Sequence, residues 1–431
     1  MMADQTELIP GSAATTPAYE LPGAGDSREE QAAVEELRES VCTGAGPFLA
    51  MVAFFVIVGV VVPIVLYFGL EDPVEVGAII CFCVGWLFCC YGLAPALLPP
   101  PKPPPTHGPF GADTDLDQAT TQVRRLHILV NPKSGTFRPS TLQDRVLPKL
   151  QQAGIQAEVH ETQYAGHARD LARTLPVEGF DGLVVIGGDG TLHEAVNGML
   201  QRGAGQPQLV LGVIPGGSGN SVVTDFKHIR DIAKNIDAAV DAIIAGCAPF
   251  VDVNRVSYGP QPEHVIHSIN VVGWTADQCM GAINIDSWRP ILGTARYDIC
   301  ALWGLLKGRE AAVRVSVDGQ PVTEAASTFF LNHTQHFGKQ MRACPHALWD
   351  DGRFDIAFIS AKRRGEVVRI FGAIQKGGHG PLVEERQGQQ CILELPEDTG
   401  LFNVDGEVVR FQGGRIQIDC LPKSFRLFSP R

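Results

Sequence analysis

Two stretches of the chain show no polar periodicity. No charged residue interrupts Pro47 to Leu70 or Val76 to Leu98. Each run exceeds the ~20 residues needed to cross a hydrocarbon core. A helix buried in a soluble core would keep polar positions on one face, and neither run does. A secretory signal would start near the N-terminus behind a basic segment, which is absent here. Residues 47–98 therefore predict a transmembrane helical hairpin, closed by the acidic turn Glu71-Asp72-Pro73, with Pro63 tolerated as a kink.

Beyond Arg125 the pattern changes. Short apolar runs ending in Gly, Pro or Asn predict strands over His127–Asn131, Gln156–Glu161, Gly182–Gly187 and Leu209–Pro215. Amphipathic stretches between them predict helices over Ser140–Ala153, His167–Thr174, Leu192–Arg202 and Asp225–Ala245. Such alternation implies a doubly wound, mainly parallel α/β sheet over residues 125–250. From residue 251 to 431 strands dominate, among them Ala312–Val317, Thr328–Asn332, Phe354–Ser360, Cys391–Leu395, Gly400–Val404 and Arg415–Cys420. They predict a second, antiparallel β-rich domain. The fold class is thus α/β followed by antiparallel β, preceded by the membrane hairpin.

The flanking segments are polar or stiff. Residues 1–46 hold nine acidic residues against Arg28 and Arg38, a composition that resists folding. Residues 99–124 open with Pro99-Pro100-Pro101-Lys102-Pro103-Pro104-Pro105, an extended spacer. Lys102, Arg124 and Arg125 follow the second span, whereas the connecting turn has no base. The positive-inside bias therefore places the C-terminal bulk in the cytosol, as a multi-pass membrane protein. The sequon Asn332-His333-Thr334 would then never meet the glycosylation machinery.

A net charge of −12 argues against a nucleic-acid partner. Eleven cysteines without a CxxC pair give no disulfide framework or zinc motif. Cys81, Cys83, Cys89 and Cys90 read as small hydrophobes within the second apolar run. His333, His336, Cys344 and His346 cluster in sequence without a closed zinc spacing, so core and surface roles are expected for them.

The chemistry lies in three turns after successive strands: Asn131-Pro132-Lys133-Ser134-Gly135, Gly187-Gly188-Asp189-Gly190-Thr191, and Pro215-Gly216-Gly217-Ser218-Gly219-Asn220. In a parallel sheet these turns share the carboxyl edge, where ligands bind. Glycine lets backbone amides approach phosphate, and a helix starting near Leu192 would add its N-terminal dipole. No P-loop, protein-kinase signature, GxGxxG or GxSxG elbow is present. One such turn alone would be an ordinary βα loop; three together, with an acid in the middle one, make that improbable.

These motifs resemble the diacylglycerol kinase catalytic domain family, which includes sphingosine and ceramide kinases. Gly187–Thr191 matches the family's GGDGT, and PGGSGN at 215–220 is nearer the sphingosine kinase form. Asp405-Gly406-Glu407 matches a DGE turn that reaches the active site in related enzymes. The stretch Gly338–Asp355, with Arg342, Pro345 and Asp350-Asp351-Gly352, resembles another shared segment. The resemblance spans residues from Arg125 to the C-terminus and implies ATP and Mg²⁺ as cofactors and a membrane lipid as acceptor.

It also implies roles. The amides of Ser134–Gly135, Gly188–Thr191 and Gly217–Asn220 would cradle the phosphates, with side-chain bonds from Asn131, Thr191 and Asn220. Asp189 and Glu407 would divide proton acceptance and Mg²⁺ organisation between them, in either order, with Asp405 beside them. Arg296, and less directly Arg289, would clamp the triphosphate. Asp277, or alternatively Asp286, would recognise the lipid head. A sphingoid base is the expected acceptor, resting on Ser218 and Asp277. Diacylglycerol, an NAD kinase-like soluble activity (NAD kinases share the GGDGT turn) and a non-catalytic membrane scaffold are the alternatives.

Overall fold

The computed structural model describes the chain from Gly108 to Pro430, apart from residues 117–118, 136, 204–207, 218, 229–234, 260–263, 276–310, 327, 338–340, 360–363, 376–378, 380–382, 396–398 and 413. The acidic tail, both apolar runs and the proline-dense start of the 99–124 linker lie outside the described residues, as do Ser218, Asp277, Asp286, Arg289 and Arg296, whereas the described residues from Gly108 to Arg124 pack on the folded part. No helix among the described residues is long and apolar enough to cross a membrane.

The first layer is a four-stranded parallel sheet, β1 (Arg125–Val130), β2 (Gln156–Glu161), β3 (Gly182–Gly187) and β4 (Val210–Pro215), in the order β2-β1-β3-β4. Every residue of β3 is buried. An unbroken apolar strand belongs at the centre of a sheet covered on both faces. The edge strand β2 has no fully buried residue and leaves Val159 exposed.

Helix α1 runs as consecutive α, π and α segments, Pro139–Thr141, Leu142–Val146 and Leu147–Gln152. The π segment precedes Pro148, whose ring would clash with a regular helix carbonyl four residues back. Helix α2 is His167–Thr174.

Helix α3 spans Asp189–Leu200 and begins three residues earlier than the apolar pattern implies. The GGDGT turn is itself the start of the helix, with Gly188 as its N-cap.

The single helix expected over Asp225–Ala245 is divided. A 3-10 turn covers Asp225–His228, and α4 starts afresh at Ile236–Ala245. The Asn235 side chain caps α4 by accepting from the Ala238 N–H, and Gly246 closes it at φ 69°.

The second layer pair is an antiparallel sandwich. Its elements are β5 (Phe250–Tyr258), β6 (His264–Ser268), β7 (Val271–Thr275), β8 (Ala311–Val317), β9 (Gln320–Ala326), β10 (Thr328–Asn332), the short pair β11 (His336–Phe337) and β12 (Met341–Arg342), β13 (Phe354–Ile359), helix α5 (Arg364–Gln375), β14 (Glu384–Gly388), β15 (Gln390–Glu394), β16 (Thr399–Val404), β17 (Glu407–Gln412) and β18 (Arg415–Arg426). One sheet has the order β14-β13-β10-β7-β16-β17, the other β6-β5-β18-β15-β8-β9. Their inner faces share a core of Val272, Phe329, Phe354, Phe402, Ile416 and Ile418, each 0% exposed. Asn332 of the sequon is wholly buried within β10.

The chain end ties the domains together. Leu427 pairs with Leu211 of β4, and the Phe428 N–H donates to the Leu211 carbonyl at 2.8 Å. The Phe428 ring fills the space beside Gly182, where a Cβ would come within 2.8 Å of it. Cys247, Cys344, Cys391 and Cys420 are all free and buried.

Candidate functional site

The three glycine-rich turns converge at the carboxyl edge of the parallel sheet. The Ser134 hydroxyl donates to the Gly216 carbonyl at 2.8 Å, and the Asn131 amide donates to Thr191 Oγ1 at 2.9 Å. The Gly216 N–H donates to the Gly187 carbonyl. First, second and third loops are thereby stitched to one another. Two glycines make the approach possible: a Cβ on Gly217 would lie 2.4 Å from Gly188 Cα. Any side chain there would force the loops apart.

Several expected nucleotide ligands are engaged with the loops themselves. Asn220, in the left-handed region at φ 52°, accepts the Gly217 N–H at Oδ1 and donates from Nδ2 to the Gly217 carbonyl, both at 3.0 Å. Asn131 Oδ1 accepts the Lys133 N–H. These side chains shape the loops and leave main-chain amides at the edge. The first turn of α3 supplies the donors that a helix N-terminus leaves without internal partners. Gly135 has nothing within 4 Å of a Cβ position, so space remains open in front of the first loop.

Asp189 stands where the second and third loops meet. Its Oδ1 accepts the Ser221 N–H at 2.8 Å and its Oδ2 the Ser221 hydroxyl at 3.2 Å. Gly219 is bare beside it; a Cβ there would fall 2.7 Å from Asp189 Oδ2. Desolvation raises the Asp189 pKa to about 6, with the charge of Asp405 adding to the rise and the Ser221 bonds opposing it. A carboxylate poised so near neutrality suits proton transfer.

Glu407 reaches the same place from the second domain. Asp405 and Gly406, at φ 53° and 99°, form a two-residue hairpin loop between β16 and β17, with Val404 paired to Glu407. This turn carries Glu407 Oε1 to within 3.3 Å of where a Cβ on Gly190 would stand.

Asp405 has a different environment. Its Oδ2 meets His193 Nδ1 at 3.0 Å and accepts the Ile269 N–H at 3.0 Å. Its Oδ1 accepts from the Ser268 hydroxyl and from the N–H groups of Asn270 and Val271. Burial alone would raise its pKa, but the His193 contact and the other donors outweigh burial and lower it. The carboxylate is 4% exposed and its acceptor positions are filled.

The residues that join the two domains belong to none of the three turns or the DGE turn. His193 and Asn197 lie one turn apart on α3, both buried. Asn197 accepts the His267 N–H and donates to the His267 carbonyl, fastening α3 to the edge strand β6. The available signal was a polar i, i+4 pair on a helix whose remaining face is apolar. A second lock is Asp225, which accepts from the Gln335 and His336 N–H groups and from Trp349 Nε1, and meets His336 Nδ1 at 2.7 Å.

The remaining motif residues are structural in their contacts. Buried Arg342 donates to the carbonyl of Pro345 and to Gln335 Oε1. Asp350 receives the Gly111 N–H and the Thr114 hydroxyl. Phe110 lies beside Phe226 and Trp349, so the later part of the 99–124 linker packs at the domain junction rather than forming an extended spacer. His333, His336 and Cys344 go separate ways: to the Arg353 carbonyl, to Asp225, and to the carbonyls of Phe330 and Asp355.

Comparison with known proteins follows this division. Residues 125–256 match the model described as the diacylglycerol kinase catalytic domain. Residues 274–429 match that of the YegS C-terminal NAD kinase beta sandwich-like domain. Sphingosine kinase 1 of Arabidopsis thaliana is 31% identical over 356 residues, covering 70% of this chain and 71% of that protein. Diacylglycerol kinase of Staphylococcus aureus (strain MRSA252) is 27% identical over 299 residues, covering 69% of this chain and 89% of its own length. The crystal structure of a diacylglycerol kinase from Bacillus anthracis str. Sterne superposes with a TM-score of 0.57 at 21% identity, covering 72% of this chain and 98% of that one.

Proposed function

We propose, from the premise that this chain belongs to the diacylglycerol kinase catalytic domain family and is a lipid kinase, that it transfers the γ-phosphoryl group of ATP to the hydroxyl of a sphingoid base. The observation that carries the catalytic reading is Asp189, a desolvated carboxylate locked by Ser221 where two bare-backbone loops meet. The amides of Ser134–Gly135, Gly188–Thr191 and Gly217–Asn220 cradle the phosphates, and the open space before Gly135 admits them.

In the transfer, the lipid hydroxyl oxygen forms a bond to the γ-phosphorus as the bond to the β,γ-bridging oxygen breaks and ADP leaves. The hydroxyl proton passes to the Asp189 carboxylate late in the step, since an aliphatic hydroxyl does not ionise near neutrality. Two carboxylates, Asp189 and Glu407, beside a side-chain-free cradle fit the oxygen-donor preference of Mg²⁺. The ion, when bound, would neutralise phosphate charge. Glu407 would hold it, leaving Asp189 as the base. Asp405 is a positioning residue that holds the Glu407 hairpin to α3 through His193.

The sphingoid preference draws on the PGGSGN form of the third loop, on Asp277 as the head-group acid, and on the likeness to a sphingosine kinase. Arg296, with Arg289, completes the triphosphate clamp in this assignment. Diacylglycerol is the second reading, drawn from the likeness to bacterial diacylglycerol kinases. Residues 47–98 anchor the catalytic part to the cytosolic face of a membrane, from which the acceptor cannot readily leave. A chain beginning at Gly108 that phosphorylated bilayer-presented lipid as well as the full chain would refute that anchoring role.

The acceptor is identified by offering sphingosine, diacylglycerol, ceramide and NAD with radiolabelled ATP in mixed micelles. Labelling of sphingosine in preference to the others supports the proposal. Preferential labelling of diacylglycerol replaces the acceptor, and labelling of NAD alone overturns the lipid reading.

A further inference from the structure

A second cluster of ligating side chains stands on the sheet away from the phosphate loops. In the parallel pairing of β1 with β2, His127 is opposite Glu158, and Leu129 is opposite His160. Side chains alternate with period two along each strand, so His127, Glu158 and His160 project from one face. One candidate ligand atom from each lies within 4.8 Å of the others.

The chemistry of His127 fixes how it faces its neighbours. Its ring is wholly buried and stacks on Phe180 with centroids 3.6 Å apart. Nε2 lies 2.9 Å from the Pro176 carbonyl, which can only accept, so Nε2 carries the hydrogen and Nδ1 presents a lone pair. Nδ1 faces His160 Nε2 at 3.1 Å. Two nitrogens bound to one tetrahedral zinc ion stand about 3.3 Å apart, given Zn–N bonds of about 2.0–2.1 Å. A carbonyl on the far nitrogen is also the usual support of a metal-ligating histidine.

Glu158 supplies the third position. Arg125 Nη2 holds its Oε1 at 2.6 Å, and Oε2 lies 4.0 Å from His127 Nδ1. Glu158 is half exposed, so the cluster opens to solvent on that side. Burial lowers the pKa of both histidines, which keeps them neutral and able to ligate near pH 7.

The geometry points to a zinc-type divalent cation site formed by His127 Nδ1, His160 Nε2 and Glu158 Oε2, clamping edge strand β2 to β1. Two imidazoles and one carboxylate favour Zn²⁺ and its borderline neighbours over Mg²⁺, so the site is chemically separate from any ion that accompanies ATP. Strand β1 ends one residue before Asn131, so the clamp braces the strand from which the first phosphate loop departs.

The test uses the full-length protein in detergent, stripped with chelator and titrated calorimetrically with zinc chloride in excess Mg²⁺. One equivalent should bind, and thermal unfolding should shift upward with Zn²⁺. His160→Ala and Glu158→Gln, both outside the buried ring, should each weaken binding by ~10-fold or more. Cobalt(II) loaded in place of zinc should show tetrahedral absorption bands that His160→Ala abolishes. Absence of stoichiometric binding overturns the site, as does unchanged Zn²⁺ affinity in His160→Ala and Glu158→Gln. If His160→Ala does not fold, Glu158→Gln with the cobalt spectrum decides.

Discussion

Replacing Asp189 by Asn should abolish turnover and at the same time stabilise the ligand-free protein. Both Ser221 contacts survive the change, because an amide oxygen still accepts the Ser221 N–H and the new NH₂ can donate to the Ser221 hydroxyl oxygen. What disappears is a desolvated charge. The folded protein retains the Asp189 proton up to pH about 6, whereas the ordinary value is 3.8. Folding therefore takes up a proton between these values, and stability falls as pH rises from about 4 to 6. Above pH 6 the full penalty is present, about 3 kcal/mol at 1.36 kcal/mol per pKa unit. The assay is chemical denaturation of wild type and Asp189→Asn in detergent without nucleotide or Mg²⁺, from pH 4 to pH 8. The variant should gain up to about 3 kcal/mol at pH 7.5, shrinking toward zero near pH 4. A variant less stable than wild type at pH 7.5, or a difference independent of pH, would show that no desolvated charge sits at position 189.

Other substitutions separate the cradle from its supports. Gly217→Ala would place its Cβ 2.4 Å from Gly188 Cα and should cost about 1–3 kcal/mol or more, together with ATP binding, read by denaturation and nucleotide titration. Gly135→Ala meets nothing within 4 Å, so it should leave ligand-free stability unchanged while weakening ATP binding; unchanged ATP affinity would remove Gly135 from the cradle. Asp405→Ala exposes four donors and His193 to loss of their acceptor, and should destabilise by about 3 kcal/mol or more. Because the folded pKa of Asp405 is lowered, its stabilisation is present above about pH 4 and lost as pH falls below it, which an acid-unfolding series on wild type and variant would show. Glu407→Gln should lower kcat by ~100-fold or more with native stability, since among the described residues the Glu407 side chain makes no hydrogen bond or ion pair into the core; near-normal turnover would remove it from the machinery.

Much of the fold was legible because its signals are local. The buried run Gly182–Gly187 and the helix His167–Thr174 have the bounds expected from their patterns. Asp318-Gly319 and Asp405-Gly406 both form the two-residue hairpins their sequence specifies, with positive φ at each position. The start of α3 was misplaced because three polar or small residues conceal a helix end when only apolar periodicity is counted. The role of Asp225 was invisible for another reason: its donors, on Gln335, His336 and Trp349, lie more than a hundred residues away. Likewise, Asp405 carries the same DGE signature as Glu407, yet its five partners separate their environments. The pairing of His127 with Glu158 and His160 depends on strand register, which no single-strand pattern supplies.

The proposed role of Asp189 lies in the transfer step rather than in nucleotide binding. Its most direct test is single-turnover transfer from radiolabelled ATP to micellar sphingosine by wild type and Asp189→Asn, with ATP affinity measured on the same preparations. ATP should bind within a few-fold of wild type, and the transfer rate should fall by ~100-fold or more. Transfer at the wild-type rate with Asn at position 189 would contradict that role.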